Sequence, residues 1–343
     1  MGDETHMRRW IITAGSTSLD GLRLERAEQP RPGPGEVLVK VRACSLNYRD
    51  QAIPLGLYLG GVVQADTVPL SDGAGEIAAL GEGVTGLAVG DRVAGIFFQG
   101  WMDGPPNPGM GAALGAPPAP GMLQDYVVLP AHGVVKLATT LDFVEAACLP
   151  CAGVTAWNAL MEGPRPVRAG DSVLVLGTGG VSLLALQIAK AAGATVIATS
   201  SSDEKLERVK ALGADHVINY RTTPEWGAQA AHLAGGGVDK VVEVGGAGTL
   251  KQSIIAVGFA GEIALIGVLT REGDTNPHGL MFKGASIRGI FVGSKGMAER
   301  LNAFVDSHGI KPVVDKVFDM EDALAAYAYQ SSAALFGKVA ITL

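Results

Sequence analysis

The stretch Val173-Leu-Val-Leu-Gly-Thr-Gly-Gly-Val-Ser182 places glycines at 177, 179 and 180 and a serine at 182. In a Gly-x-Gly-x-x-Gly frame, Gly177 allows a tight turn and Gly179 lets the backbone approach a pyrophosphate seated on a helix N-terminus. The third position asks only for a small residue, so Ser182 is a tolerable departure. The alternative is an ordinary strand-to-helix turn, but a strand-like run precedes this loop and a helical run follows it. About 20 residues further on, where an acidic residue would bond a ribose 2′-hydroxyl, the chain reads Thr199-Ser-Ser-Ser202. Hydroxyls can donate to a 2′-phosphate, which a carboxylate would repel. Lys205, Arg208 and Arg221 stand near in sequence, although a solvated face is the commoner fate of such side chains. Asp203 reads as a helix cap. The expected cofactor is NADPH, with NADH as the alternative.

Cys148-Leu-Pro-Cys151 has the spacing of a metal or redox pair. A structural zinc needs a second pair of ligands, and the histidines at 6, 132, 216, 232, 278 and 308 are scattered without ligand spacing. Cys44, Cys148 and Cys151 therefore read as small buried hydrophobes in a reducing, cytoplasmic setting. The net charge of −7 argues against a nucleic-acid partner. No apolar run reaches the roughly 18 residues of a membrane span.

The elements that must hold these residues follow from patterning. Apolar runs at 172–177, 195–200, 216–220, 238–244, 261–267 and 286–292 read as strands. Helical patterns at 180–192, 203–213, 223–234 and 249–257 separate them. Strict alternation means a parallel sheet with helices on both faces. Before residue 100 the runs are short and cut by turns, as in Glu36-Val-Leu-Val-Lys-Val41. Residues 100–121 are rich in Gly, Pro and Ala without period and read as a long loop. Helices near 296–308 and 320–331 and a strand at 337–343 complete the chain. Glycine, 48 of 343 residues, is about twice its usual share, as many tight turns and close backbone approaches would need.

PGPGEVLVKVRACSLNYRD, VPLSDGAGEI, GVTGLAVGDRV, LPCAGVTAWNAL, VLVLGTGGVSLLALQIAK, KALGADHVINY and the terminal FGKVAITL together resemble the medium-chain dehydrogenase/reductase superfamily. The resemblance implies an α/β chain: a GroES-like, partly barrel-shaped β domain over 1–152, a Rossmann domain with a doubly wound parallel six-stranded sheet over 153–293, and a return to the first domain over 294–343. Zinc alcohol dehydrogenases of this superfamily carry a cysteine three residues before an aspartate, where this chain has Asn47 ahead of Asp50. A histidine of a Gly-His-Glu motif corresponds to Ser71, and only the third ligand, Cys151, matches. One thiolate cannot hold a catalytic zinc, and residues 100–121 lack the cysteines of the structural zinc lobe. No metal is expected.

The NYRD motif instead resembles the zinc-free quinone and enone reductases. The resemblance implies catalytic roles for Asn47 and Tyr48 on the substrate side of the nicotinamide, with Asp50 structural. It implies cofactor contacts from Thr155, from Gly177, Thr178, Gly179, Gly180 and Val181, and from Ser200, Ser201, Lys205 and Tyr220. Val244, Gly245, Gly267, Phe291, Val292 and Lys338 complete that set. Reducing an isolated carbonyl puts charge on one oxygen, for which a Lewis acid helps. An activated C=C spreads the charge through an enolate, which hydrogen-bond donors can meet. The expected reaction is hydride transfer to a quinone, enone or 2-enal. Zinc-independent alcohol or aldehyde chemistry and non-catalytic NADPH binding are the alternatives. By resemblance, Ser286–Val292 pairs with its counterpart in a homodimer.

Overall fold

The computed structural model describes residues 6–267, 269–270 and 272–343. The chain divides into two units, Met1–Val154 with Gly293–Leu343, and Thr155–Val292.

The second unit is built on six parallel strands: Ser172–Leu176, Thr195–Ser200, His216–Asn219, Val238–Glu243, Val257–Leu265 and Ser286–Gly289. Their order in the sheet is third, second, first, fourth, fifth, sixth. That order is the doubly wound arrangement of a dinucleotide fold, with its switch point between the first and fourth strands. Every residue of Ser172–Leu176 is buried, because helices cover both faces. The register Leu174↔Ile197 and Leu174↔Val241 puts the apolar centres of three strands side by side. Leu176, Ile218, Trp226, Ile254 and Ile263 fill the core on one face.

Two boundaries differ from the sequence reading. The helix Asp203–Ala211 is capped by Ser202, whose Oγ accepts from the Lys205 N–H at 3.3 Å. Asp203 is its first residue, with Oδ1 accepting from Asn219 Nδ2 at 2.7 Å. Serine and aspartate cap about equally well, so adjacent candidates are not separable by type. The last strand ends at Gly289 rather than at 292, because its neighbour ends at the paired Leu265; Val292 beyond it adopts φ +55°.

The first unit centres on the ten-residue strand Glu36–Ser45. It pairs antiparallel with Asp72–Leu80, with Tyr126–Pro130 and, through Ala43–Ser45, with the terminal strand Lys338–Thr342. Val314–Asp319 extends one end of that sheet, and Arg92–Gly95 with Val134–Lys136 the other. Val37, Val39, Val41, Ile77, Val93 and Ile341 supply its buried core. Residues 100–121 hold no strand and only the short turn Pro108–Met110, yet buried Trp101 and Leu114 pin the loop.

Candidate active site

In the second unit the glycine loop joins Ser172–Leu176 to the helix Gly180–Ala191. Gly177 has φ +75°, the left-handed conformation that favours glycine. A Cβ on Gly177 or Gly179 would meet nothing within 4 Å, so the space above the loop is open. No side chain caps the helix at Gly179. Its first N–H groups are thus available to an anion. Ser182 donates to the Leu176 carbonyl at 2.6 Å, which explains how a serine fits the third position.

The carboxyl ends of the neighbouring strands bring the other expected residues to the same side. Gly177 N donates to Thr199 O at 2.9 Å, and Tyr220 N to Ser200 O at 3.1 Å. Thr199 and Ser200 are buried, whereas Ser201 and Lys205 are half-buried and Tyr220 is exposed. Ser202 is committed to capping, so Ser200 and Ser201 are the hydroxyls nearest the loop's neighbour strand that remain for a phosphate. Thr178 is buried, Val181 half-buried, and Thr155 lies buried at the start of the unit. Phe291 is exposed and Val292 buried beyond the last strand.

Val244, Gly245 and Gly267 meet through a residue that sequence reasoning missed. Fully buried Glu243 ends its strand, and its Oε1 accepts from Gly245 N at 2.8 Å, Gly246 N at 3.0 Å and Thr249 Oγ1 at 2.5 Å. Ser253 Oγ donates to Oε2. The carboxylate shapes the loop and ties it to Thr249 and Ser253 of the following helix. Gly267 donates to Glu243 O at 2.9 Å, and a Cβ there would stand 1.8 Å from Val244 O. Only glycine fits. The signal was legible: in the run Val-Asp-Lys-Val-Val-Glu-Val the second acid stands at the strand's end, separated by one residue from Gly245 and Gly246.

In the first unit Asn47 and Tyr48 open the five-residue helix Tyr48–Ala52. Asp50 Oδ2 accepts from the Asn47 N–H at 2.7 Å. Lys338, expected at the cofactor, is buried and donates to Asn47 Oδ1 at 2.7 Å and Leu46 O at 2.6 Å. The ammonium fixes the amide, leaving Nδ2 buried without an acceptor in hydrogen-bond geometry. Tyr48 is 54% exposed. Ser71 donates to Asp72 Oδ1 at 2.8 Å, and the Cys151 N–H to Asp72 Oδ2 at 3.1 Å.

Arg49 lies between the rings of Tyr58 and Phe97, 5.0 and 4.8 Å from their centroids, and donates to Leu114 O at 2.7 Å. Its Nη1 is 3.7 Å from Asp50 Oδ1. Burial pushes Asp50 up to about 6 against the pull of Arg49. Burial also raises Asp72, opposed by Lys338. The same desolvation lifts the Cys148 thiol to about 12 and the Cys151 thiol further still. With no metal bound, both thiols are therefore neutral near pH 7, Cys148 buried and Cys151 partly buried.

These residues do not fit a zinc. At two of the three ligand positions the side chains are committed elsewhere: Asn47 Oδ1 accepts from an ammonium and the Ser71 hydroxyl donates to a carboxylate, which leaves Cys151 as a single thiol. Among the described residues no three His, Cys, Asp or Glu side chains group as a metal site. The glycine loop does fit a dinucleotide pyrophosphate.

Residues 33–139 match the family described as alcohol dehydrogenase GroES-like domain, and residues 180–307 that described as zinc-binding dehydrogenase. A zinc-type alcohol dehydrogenase-like protein of Schizosaccharomyces pombe is 47% identical over 98% of this chain and 99% of its own length. A 2-methylene-furan-3-one reductase of Solanum lycopersicum is 31% identical over 98% of this chain and 79% of its own. A crystal structure from Sinorhizobium meliloti 1021, provisionally described as an alcohol dehydrogenase, superposes with a TM-score of 0.91 at 41% identity over 99% of both chains.

Proposed function

The chain belongs to the medium-chain dehydrogenase/reductase superfamily of oxidoreductases, and on that premise we propose that it reduces an activated C=C bond or a quinone with NADPH, without zinc. The observation that carries this reading is the mutual commitment of the ligand positions: Lys338 to Asn47 and Ser71 to Asp72. NADPH, when bound, supplies the hydride. The chain's part is to hold the dinucleotide on the Gly177–Ser182 loop and to offer Tyr48 as a hydrogen-bond donor to substrate oxygen. A delocalised enolate or hydroquinone oxygen needs only such donors. The relative named for reducing a 2-methylene-furan-3-one, a conjugated ketone, supports this substrate class.

A second reading, zinc-independent alcohol or aldehyde chemistry, is favoured by the exposure of Tyr48, which could protonate an alkoxide. Steady-state oxidation of NADPH and NADH against quinones, 2-enones, 2-enals and saturated aldehydes separates the readings. Turnover on conjugated substrates well above saturated aldehydes is expected. Turnover on saturated aldehydes alone transfers the assignment to the second reading. NADPH binding without turnover on any substrate makes the chain a binding protein.

The reading includes a cytoplasmic homodimer; no helix among the described residues is long and apolar enough to cross a membrane. Ser286–Gly289 is the edge of the six-stranded sheet, and Phe259, Met281, Phe282, Ile287 and Phe291 are exposed on or beside the edge elements. An uncovered apolar edge invites pairing. Light scattering at micromolar concentration should give twice the chain mass, and a monomer would remove the dimer from this reading.

A further inference from the structure

Val292, the last residue of the second unit, has φ +55°. For a β-branched residue this is an outlier, since Cβ crowds the backbone carbonyl in the left-handed region. Such a conformation persists only where its surroundings impose it, and it collects at functional positions.

The surroundings can be named. Asn158 Nδ2 donates to the Val292 carbonyl at 2.7 Å, with both residues buried. Asn158 lies in the helix Val154–Met161, by which the chain enters the second unit, so the bond joins the unit's first helix to its last residue. The amide cannot turn over. Arg288 Nη1 donates to Asn158 Oδ1 at 2.9 Å, which leaves only Nδ2 for Val292. Arg288 is itself fixed from both sides. Its Nη2 donates to the carbonyls of Asn158 at 2.7 Å and Glu162 at 3.1 Å, and its Nε to Glu262 Oε1 at 3.1 Å. Glu262 also takes a 2.6 Å bond from buried Lys240. Gly163 makes room, because a Cβ there would stand 2.8 Å from Arg288 Nε.

Arg288 alone already ties the helix to the sheet. The Asn158–Val292 bond adds nothing to that tie except a fixed, strained peptide at 292. The geometry points to Asn158 as a positioning residue of the cofactor site: it holds Val292 in the left-handed conformation so that the Phe291–Val292 backbone is set before the nicotinamide cofactor arrives. The inference rests on the cofactor contact of Phe291 and Val292 that the resemblance implies. When the clamp is lost, Val292 relaxes to extended backbone and only a fraction of molecules stays competent. The apparent dissociation constant then rises by the inverse of that fraction.

A double-mutant cycle tests this with NADPH titrated by fluorescence, alongside kcat, KM and melting temperature. N158A should raise the NADPH dissociation constant and KM about tenfold, with kcat at saturating NADPH little changed. In the V292G background, where glycine takes the left-handed conformation freely, the same substitution should cost less than about threefold. N158D keeps the size and the acceptor for Arg288 but loses the donor; it should behave like N158A and serves if N158A does not fold. An equal loss in both backgrounds, or a folded N158D that binds NADPH as the unaltered protein does, overturns the role of Asn158. Failure of the unaltered protein to bind NADPH or NADH overturns the cofactor reading itself, and this inference with it.

Discussion

Asp50 converts burial into a measurable pH dependence. Its carboxyl is 1% exposed and titrates at about 6 in the folded chain, against 3.8 for the free group. The folded state therefore holds this proton more tightly than the unfolded state. Below about pH 3.8 both states are protonated and the group is neutral to stability. As pH rises from 3.8 to 6 the unfolded chain ionises first, and folding stability falls. At 1.36 kcal/mol per pH unit, the full loss is about 3 kcal/mol, complete above pH 6. Asp50→Asn mimics the protonated acid, keeps an oxygen for the Asn47 N–H, and removes the titration. The variant should match the parent near pH 4 and exceed it by about 3 kcal/mol at pH 7. For a unit of this size that is a gain of about 6–12 °C in melting temperature. Urea unfolding of both proteins at pH 4, 5, 6, 7 and 8 reads the difference directly. Parallel profiles across that range, or a variant less stable by a constant amount, would refute the reasoning.

Tyr48→Phe should lower kcat/KM by about 10²–10⁴ while leaving melting temperature and NADPH affinity near the parent's, because the ring is half-exposed and lies in the other unit from the glycine loop. An aldehyde should suffer more than a quinone, and unchanged rates on every substrate would remove Tyr48 from the mechanism. Ser200→Asp should shift preference from NADPH to NADH by opposing a 2′-phosphate at the end of its strand; a parent that binds NADH as tightly as NADPH would contradict the cofactor assignment. Metal analysis should find well under one zinc per chain, and EDTA should leave activity intact; stoichiometric zinc would show that the ligand positions are misplaced.

The second unit was legible because a parallel sheet buried on both faces writes its strands as short continuous apolar runs, and Ser172–Leu176 shows this best. Glycines at 177 and 179 follow from local turn and phosphate geometry and were legible for the same reason. The cap at Ser202 was not, since Ser202 and Asp203 are chemically interchangeable there. Nor was the end of the last strand, because its neighbour ends at the paired Leu265, nor the conformation of Val292, whose carbonyl is held by Asn158, 134 positions away. Asn47 and Tyr48 were found only through a motif. Not legible at all was the contact of the Lys338 amine with Asn47, across 291 positions of sequence. The terminal strand that delivers it pairs with Ala43–Ser45, and no periodicity announces such a non-local pairing.

The charges around Asn47 bear on the positions that correspond, by resemblance, to zinc ligands. Arg49, Asp50, Asp72 and Lys338 are all buried, two cations against two carboxylates. With Asp50 and Asp72 ionised the set is neutral. A divalent metal at Asn47 would have to displace an ammonium 2.7 Å from the oxygen it needs. With Lys338 on Asn47 Oδ1, the Ser71 hydroxyl is likewise turned to a carboxylate, that of Asp72. In the proposed zinc-free reaction the developing negative charge is met by neutral donors, for which exposed Tyr48 is the candidate. Such donors suit an oxygen at the far end of a conjugated system more than an isolated alkoxide.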